Sequence, residues 1–211
     1  MKVLFLNYEY PPLGGGASIA TEALLREWAL VPEMEVHLVT AAVGATQERI
    51  VIGGNVIVHR VPIGKNAEKL HSQSLLDILM YTIKAGWFLR TLLREEHEKK
   101  PFDVTLAFFT IPCGFLAYLL KLFWGIPYVV SLRGSDVPGF SEKYNGFYLL
   151  AKPLVRFLWR HAAMVVPNSV GITKLAEQTA SLPRMEIIEN GVDIKTFFPH
   201  RERRSTSEVV F

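Results

Sequence analysis

Short apolar runs rich in β-branched residues alternate along this chain with longer stretches in which apolar residues recur every three or four positions. The short runs predict strands at "KVLFLN", "EVHLVT", "NVIVHRV", "DVTLAF", "PYVVSL", "AMVVP" and "MEIIEN". The longer patterns predict helices over 17–30, 75–98, 113–123, 143–160 and 170–179, each bounded by Gly, Pro, Asn or Ser. In the first of these, Ile19, Ala20, Ala23, Leu24, Trp28 and Ala29 form the expected apolar face. Strands that read as continuous apolar runs and alternate with helices indicate a doubly wound α/β fold. Such a fold is Rossmann-like, with a mostly parallel sheet and helices on both faces.

The helix pattern "LLDILMYTIKAGWFLRTLLREEHEKK" departs from ordinary amphipathicity. Asp77, Lys84, Thr91 and Glu98 recur every seven residues and make a narrow polar stripe on an otherwise apolar surface. A helix of this kind is buried on most sides, packs on a partner, or lies on a membrane. At the other end of the chain, "HRERRSTS" reads as a polar, basic linker, and "EVVF" after it as the opening of another strand. The expected organisation is one domain over 1–199, followed by a linker over 200–211 that leads into a further domain.

Bulk properties narrow the class. The chain has 211 residues, half of them hydrophobic, and a net charge of +3, which suits a globular α/β protein and gives no basic face for nucleic acid. A single cysteine, Cys113, cannot form an internal disulfide and fits a reducing compartment, so the expected location is cytoplasmic, with peripheral contact at the inner face of the membrane as the alternative. The N-terminus enters a strand at once without a signal-peptide pattern, and charges interrupt the apolar stretches before they reach membrane-spanning length. The histidines lack ligand spacing, so no metal site is expected.

In an open parallel sheet, ligands bind beyond the carboxyl ends of the strands, and the chemistry is sought in the strand-to-helix loops. "NYEYPPLGGG" is the first. Gly14, Gly15 and Gly16 allow a ligand to approach the backbone, and the following helix presents free N–H groups and its positive dipole end to an anion. Tight strand-to-helix packing alone would also account for the glycines. Their spacing is not the dinucleotide fingerprint. The second loop, "RGSDVPGF", sets Arg133, Gly134 and Asp136 at a strand end, either to bind an anion and sugar hydroxyls or as a surface ion pair within a turn. Asn168 and Ser169 suit helix capping, and Asn190–Gly191 suits a turn.

Taken in order, "YPPLGGG", "EVHLVT", "PYVVSLRGSD", "AMVVPNS" and "IIENGVDIKTFFP" resemble the N-terminal domain of retaining glycosyltransferases of family 4, which have the GT-B fold. The resemblance covers nearly the whole chain. It implies a Rossmann-like half that holds the acceptor, facing a second half, beyond this chain, that holds a nucleotide-sugar. It places the donor diphosphate and acceptor against Gly14, Gly15 and Gly16, with Tyr8, Glu9, Tyr10 and Pro12 walling the acceptor pocket. Gly134 and Asp136 match the family's H-G-x-D pattern, but Arg133 stands where the family has His. Arg cannot shuttle a proton at ordinary pH, so Arg133 is expected to bind an anion or to order the loop through Asp136. Asn190 is expected to shape its loop.

The resemblance further implies no cofactor, the nucleotide-sugar being a substrate, and a sugar, lipid-linked or other hydroxyl acceptor. The chain alone is expected to lack transferase activity, because the groups that stabilise the departing diphosphate lie beyond Phe211. Two rival readings remain at this point: a non-catalytic module of this fold that docks a partner or a membrane, and a single-domain nucleotide binder. Cys113 is expected to be structural.

Overall fold

The computed structural model describes residues 1–66, 70–97, 100–141, 145–182, 184–194 and 197. The strands are β1 (Lys2–Leu6), β2 (Glu35–Val43), β3 (Glu48–Ile52), β4 (Val56–Lys65), β5 (Val104–Phe108), β6 (Tyr128–Leu132) and β7 (Met164–Pro167). The helices are α1 (Gly16–Trp28), α2 (Leu75–His97), α3 (Phe115–Trp124), α4 (Asn145–His161) and α5 (Val170–Thr179). The strands form one sheet in the order β3-β4-β2-β1-β5-β6-β7, parallel except for the antiparallel edge pair β3–β4. This is the doubly wound α/β fold that the alternating pattern predicts.

β1 lies at the centre of the sheet and is buried along its whole length. Its alternation separates the two helical layers. Phe5 stacks edge-on against Trp28 of α1 and Phe108 of β5, whereas Lys2 reaches Glu96 of α2 on the opposite face. α2, α3 and α4 adjoin one another in that second layer: Gly86 meets Leu116, and Tyr118 meets Phe157 edge-on.

Three local outcomes differ from the sequence pattern. "ERIVI" forms the edge strand β3, joined to β4 through Gly53 and Gly54, both at positive φ. An edge strand with one solvated face lacks the continuous apolar run that marks the others. The segment 185–190 is not a strand. Met185 makes one bridge to Val165, and the Glu186 and Ile188 N–H groups donate to Val165 and Pro167 O. The chain therefore runs extended beside β7, but Ile187 and Ile188 stay exposed because nothing among the described residues packs over them.

The third difference is the face of α1. Its buried line is Ser18, Thr21 and Leu25, while Ile19 points outward. Polar groups turn inward there because the Thr21 hydroxyl accepts a 2.7 Å hydrogen bond from the buried Asn7 amide. The expected linker and "EVVF" lie outside the described residues, as do Lys143 and Glu98 at two expected helix ends.

Beneath α2, a polar chain whose two histidines are buried crosses from β2 to β4. The Glu35 carboxylate can only accept, so His37 donates to it from Nε2 at 3.0 Å, and His37 Nδ1 then accepts from His59 Nε2 at 3.2 Å. Burial lowers both imidazoles, and His59 falls to about 4. The pKa of His59 is thus depressed on folding, and the unfolded chain takes up a proton that the folded one refuses. Stability should be complete above about pH 6.5 and fall progressively toward pH 4, by about 2–3 kcal/mol for His59. His59→Gln keeps a donor to His37 but cannot titrate. Urea unfolding across that window should therefore show a shallower acid loss for this variant, and an unchanged slope would refute the assignment.

Candidate functional site

The carboxyl ends of β1, β5 and β6 open into a cavity of about 550 Å³, closed on its other side by the start of α2 and by α4. Tyr8 and Glu9 enter it from the loop after β1, Phe109 and Pro112 from the loop after β5, and Ser135 and Asp136 from the loop after β6. His71 and Gln73 enter from the segment before α2, while Leu75, Ile78, Leu79 and Leu154 supply an apolar floor. A mostly apolar concavity with a few convergent polar groups at this edge suits a small-molecule site.

Asp136 ties the cavity's walls together. One carboxylate oxygen accepts from the Thr110 N–H at 2.8 Å and the Thr110 hydroxyl at 3.0 Å. The other accepts from the Arg133 and Gly134 N–H groups at 2.9 and 3.1 Å. Thr110 Oγ1 in turn accepts from the buried Trp159 indole at 2.8 Å, which brings α4 into the network. Burial pushes the Asp136 carboxyl up, and these donors oppose that shift. A carboxylate offers about four lone-pair sites, and all are filled. None is left for a sugar hydroxyl, so the geometry gives Asp136 a positioning role in place of the expected direct contact.

Arg133 also differs from expectation. Its side chain does not pair with Asp136. The guanidinium lies 3.4 Å from the Phe108 ring centroid and donates to Asn190 Oδ1 at 2.6 Å. Burial lowers its pKa to about 10, so it stays cationic at neutral pH. Arg133 therefore fastens the extended 184–194 segment to the β6 loop, and Asn190 is its acceptor.

The glycine loop is shaped by Glu9. Gly14 has φ +95°, and a Cβ there would lie 2.6 Å from Glu9 Cβ. Its N–H donates to Leu70 O and its carbonyl accepts from His71 Nδ1 at 2.9 Å, which leaves Nε2 of a neutral His71 as an acceptor. Gly15 and Gly16 stand in open space at the start of α1, which has no side-chain cap. The Gly15 N–H is nevertheless taken by Glu9 Oε2 at 3.3 Å, so an internal carboxylate already rests on the helix's positive end. Burial raises the Glu9 carboxyl above its ordinary value. Unlike Asp136, Glu9 retains free lone pairs at the cavity wall.

Tyr10 and Pro12 do not line this cavity. Tyr10 is buried beside Arg60, whose guanidinium also donates to Pro11 O at 2.7 Å, and Pro12 is exposed. The sequence reading missed the loop after β5. Phe109 holds φ +69°, a conformation that strains a bulky side chain by about 1–3 kcal/mol, and its ring sits 4.9 Å from Tyr8. "FFTIPCG" carries no glycine at the strained position, so only its place at a strand end could have marked it. Cys113 is fully buried and its thiol is pushed well up by burial, as a structural residue requires.

A glycosyl transferase 4-like domain profile matches residues 15–191. The chain belongs to the glycosyl transferase 4-like family. No curated protein matches it in sequence. Among solved structures it is similar to a sucrose-phosphate synthase segment from Thermosynechococcus elongatus, with 10% identity, TM-score 0.61, and 93% of this chain and 92% of that one covered. It is also similar to a UDP-glucosyltransferase from Polygonum tinctorium that glucosylates indoxyl, with 12% identity, TM-score 0.57, and coverage of 89% and 51%. A UDP-forming α,α-trehalose-phosphate synthase from Burkholderia xenovorans gives 11% identity, TM-score 0.51, and coverage of 82% and 41%. The chain thus spans about half of the last two proteins or less. Its fold is that of the N-terminal half of GT-B glycosyltransferases.

Two substitutions test the geometry. Gly14→Ala should destabilise the chain by about 2 kcal/mol, while Gly15→Ala should stay within about 0.5 kcal/mol of the parent in urea unfolding. Asp136→Ala strands the Thr110, Arg133 and Gly134 donors and should lower stability by about 2 kcal/mol. An Asp136→Ala variant of parental stability would show that the network does not hold the loops.

Proposed function

We propose that this chain is the acceptor-side half of a retaining glycosyltransferase that moves a sugar from a nucleotide-sugar to a hydroxyl group of an acceptor. The observation that carries this reading is the cavity at the strand ends, walled by Tyr8, Glu9 and the Asp136-tied loops, in a chain of the glycosyl transferase 4-like family. Two structural neighbours bear names with UDP chemistry, which supports a nucleotide-sugar donor.

Each residue then has a physical task. The acceptor lies on the apolar floor, and a hydroxyl donates to the Glu9 carboxylate, which among the described cavity residues is the carboxylate with unfilled lone pairs. The exposed start of α1 at Gly15 and Gly16 faces the donor diphosphate, which takes over the amide that Glu9 now occupies. Asp136 and Arg133 act by position: they fix the loops after β5 and β6 and the segment carrying Asn190. Arg133 cannot serve as a proton shuttle. Charge building on the departing diphosphate needs cationic donors from the partner half, so transfer requires both halves. A cytoplasmic location is part of the same proposal.

The test compares the 211-residue chain with a two-domain protein that contains it, by release of nucleotide from nucleotide-sugars with an acceptor panel. The two-domain protein should turn over and the chain alone should not. Within the two-domain protein, Glu9→Gln should raise the acceptor KM about tenfold or more with little change in donor KM. Turnover by the isolated chain, or an acceptor KM indifferent to Glu9→Gln, contradicts the proposal.

A further inference from the structure

The outer surface of α2 and α3 is unusual for a solvated helix layer. Leu75, Leu79, Ile83 and Trp87 follow one another every four residues along α2, so they share a face and form a continuous apolar line of about 18 Å. All of them are exposed, Trp87 by 68%. The N-terminal part of the line, Leu75 and Leu79, also floors the acceptor-side cavity. The C-terminal part, Ile83 and Trp87, enters a separate groove of about 700 Å³ between α2 and α3, where Leu119 and Phe123 form the other wall. Phe123 is 73% exposed, and Leu122 beside it is also open to solvent.

The charged residues that line the groove itself are all cations. Arg90 and Arg94 belong to the groove itself, and Lys84 and Lys121 stand exposed on the same two helices. Neither Arg90 nor Arg94 nor Lys84 takes part in an ion pair among the described residues. α3 contains no acidic residue. On α2, Asp77 is paired with Lys65 and Glu96 with Lys2, which leaves Glu95 as the exposed acid near the groove. Exposed Trp, Phe and Leu side chains among unpaired Arg and Lys suit an interface that is apolar in depth and anionic at its surface. A protein partner of ordinary polarity would leave these cations without matching acids, whereas an anionic lipid headgroup layer supplies them continuously.

We propose that the α2–α3 face is a membrane-docking surface for anionic bilayers, with Trp87 and Phe123 inserted at the headgroup level and Arg90 and Arg94 paired with lipid phosphates. No described helix is long and apolar enough to cross a membrane, and the proposed attachment is through this surface. Docking here brings the Leu75–Leu79 floor of the cavity to the bilayer surface. Docking through this surface is independent of sugar transfer and is measured without any activity.

The test is flotation of the 211-residue chain with phosphatidylcholine vesicles, with and without phosphatidylglycerol, while the tryptophan emission is recorded. Binding should require phosphatidylglycerol, shift the emission to the blue, and weaken as salt shortens the screening length from about 10 Å at 0.1 M to about 3 Å at 1 M. Arg90→Gln/Arg94→Gln should lower partitioning about tenfold or more. Trp87→Ser/Phe123→Ser should abolish the blue shift while the far-ultraviolet circular dichroism is unchanged. Lys174→Gln on α5, away from this face, should leave partitioning unchanged. The proposal is overturned by absence of binding to anionic vesicles or by equal binding of the groove variants. It is equally overturned by sedimentation showing self-association that Phe123→Ser removes, since a second copy would then cover the face.

Discussion

The carboxylate of Asp136 is the constraint on which the functional edge depends. It takes the Thr110 N–H and hydroxyl on one oxygen and the Arg133 and Gly134 N–H groups on the other, and Thr110 passes the connection to Trp159 of α4. Two loops from adjacent strands and a helix from the covering layer are thereby fixed relative to one another. Phe109 can hold its strained positive φ because the next residue is anchored in this way. The same saturation leaves Asp136 no lone pair for a further donor, whereas Glu9 keeps part of its carboxylate open to the cavity.

Glu9 is a different kind of acid. Burial raises it, the Gly15 amide holds it, and part of its carboxylate remains open to the cavity. Its carboxylate rests on the start of α1, so an internal anion already sits at the positive end of that helix. The glycine loop is therefore organised around a side chain from its own strand end. Gly14 is required for that approach, while Gly15 and Gly16 are left open toward solvent.

Most of the sheet was readable because its central strands are buried on both faces and appear as uninterrupted apolar runs. β3 was hidden by its solvated edge, and 185–190 resembled a strand because Ile187 and Ile188 are apolar although no described residue covers them. The inward face of α1 was misread because its contact is a Thr21–Asn7 hydrogen bond, which hydrophobic periodicity cannot register. At the site, the strand-end loops after β1 and β6 were legible from Gly, Pro and charged residues. The partners of Arg133 were not, since its neighbours Phe108 and Asn190 are distant in sequence. The contribution of 71–79 to the cavity likewise depends on how α2 crosses the sheet.

The central claim is that this cavity holds the acceptor of a retaining sugar transfer. The most direct measurement is the anomeric configuration of the first-formed product, read by proton NMR during turnover of an α-linked nucleotide-sugar by a two-domain protein containing this chain. The account predicts an α-linked product from the α-linked donor. A β-linked first product would contradict it.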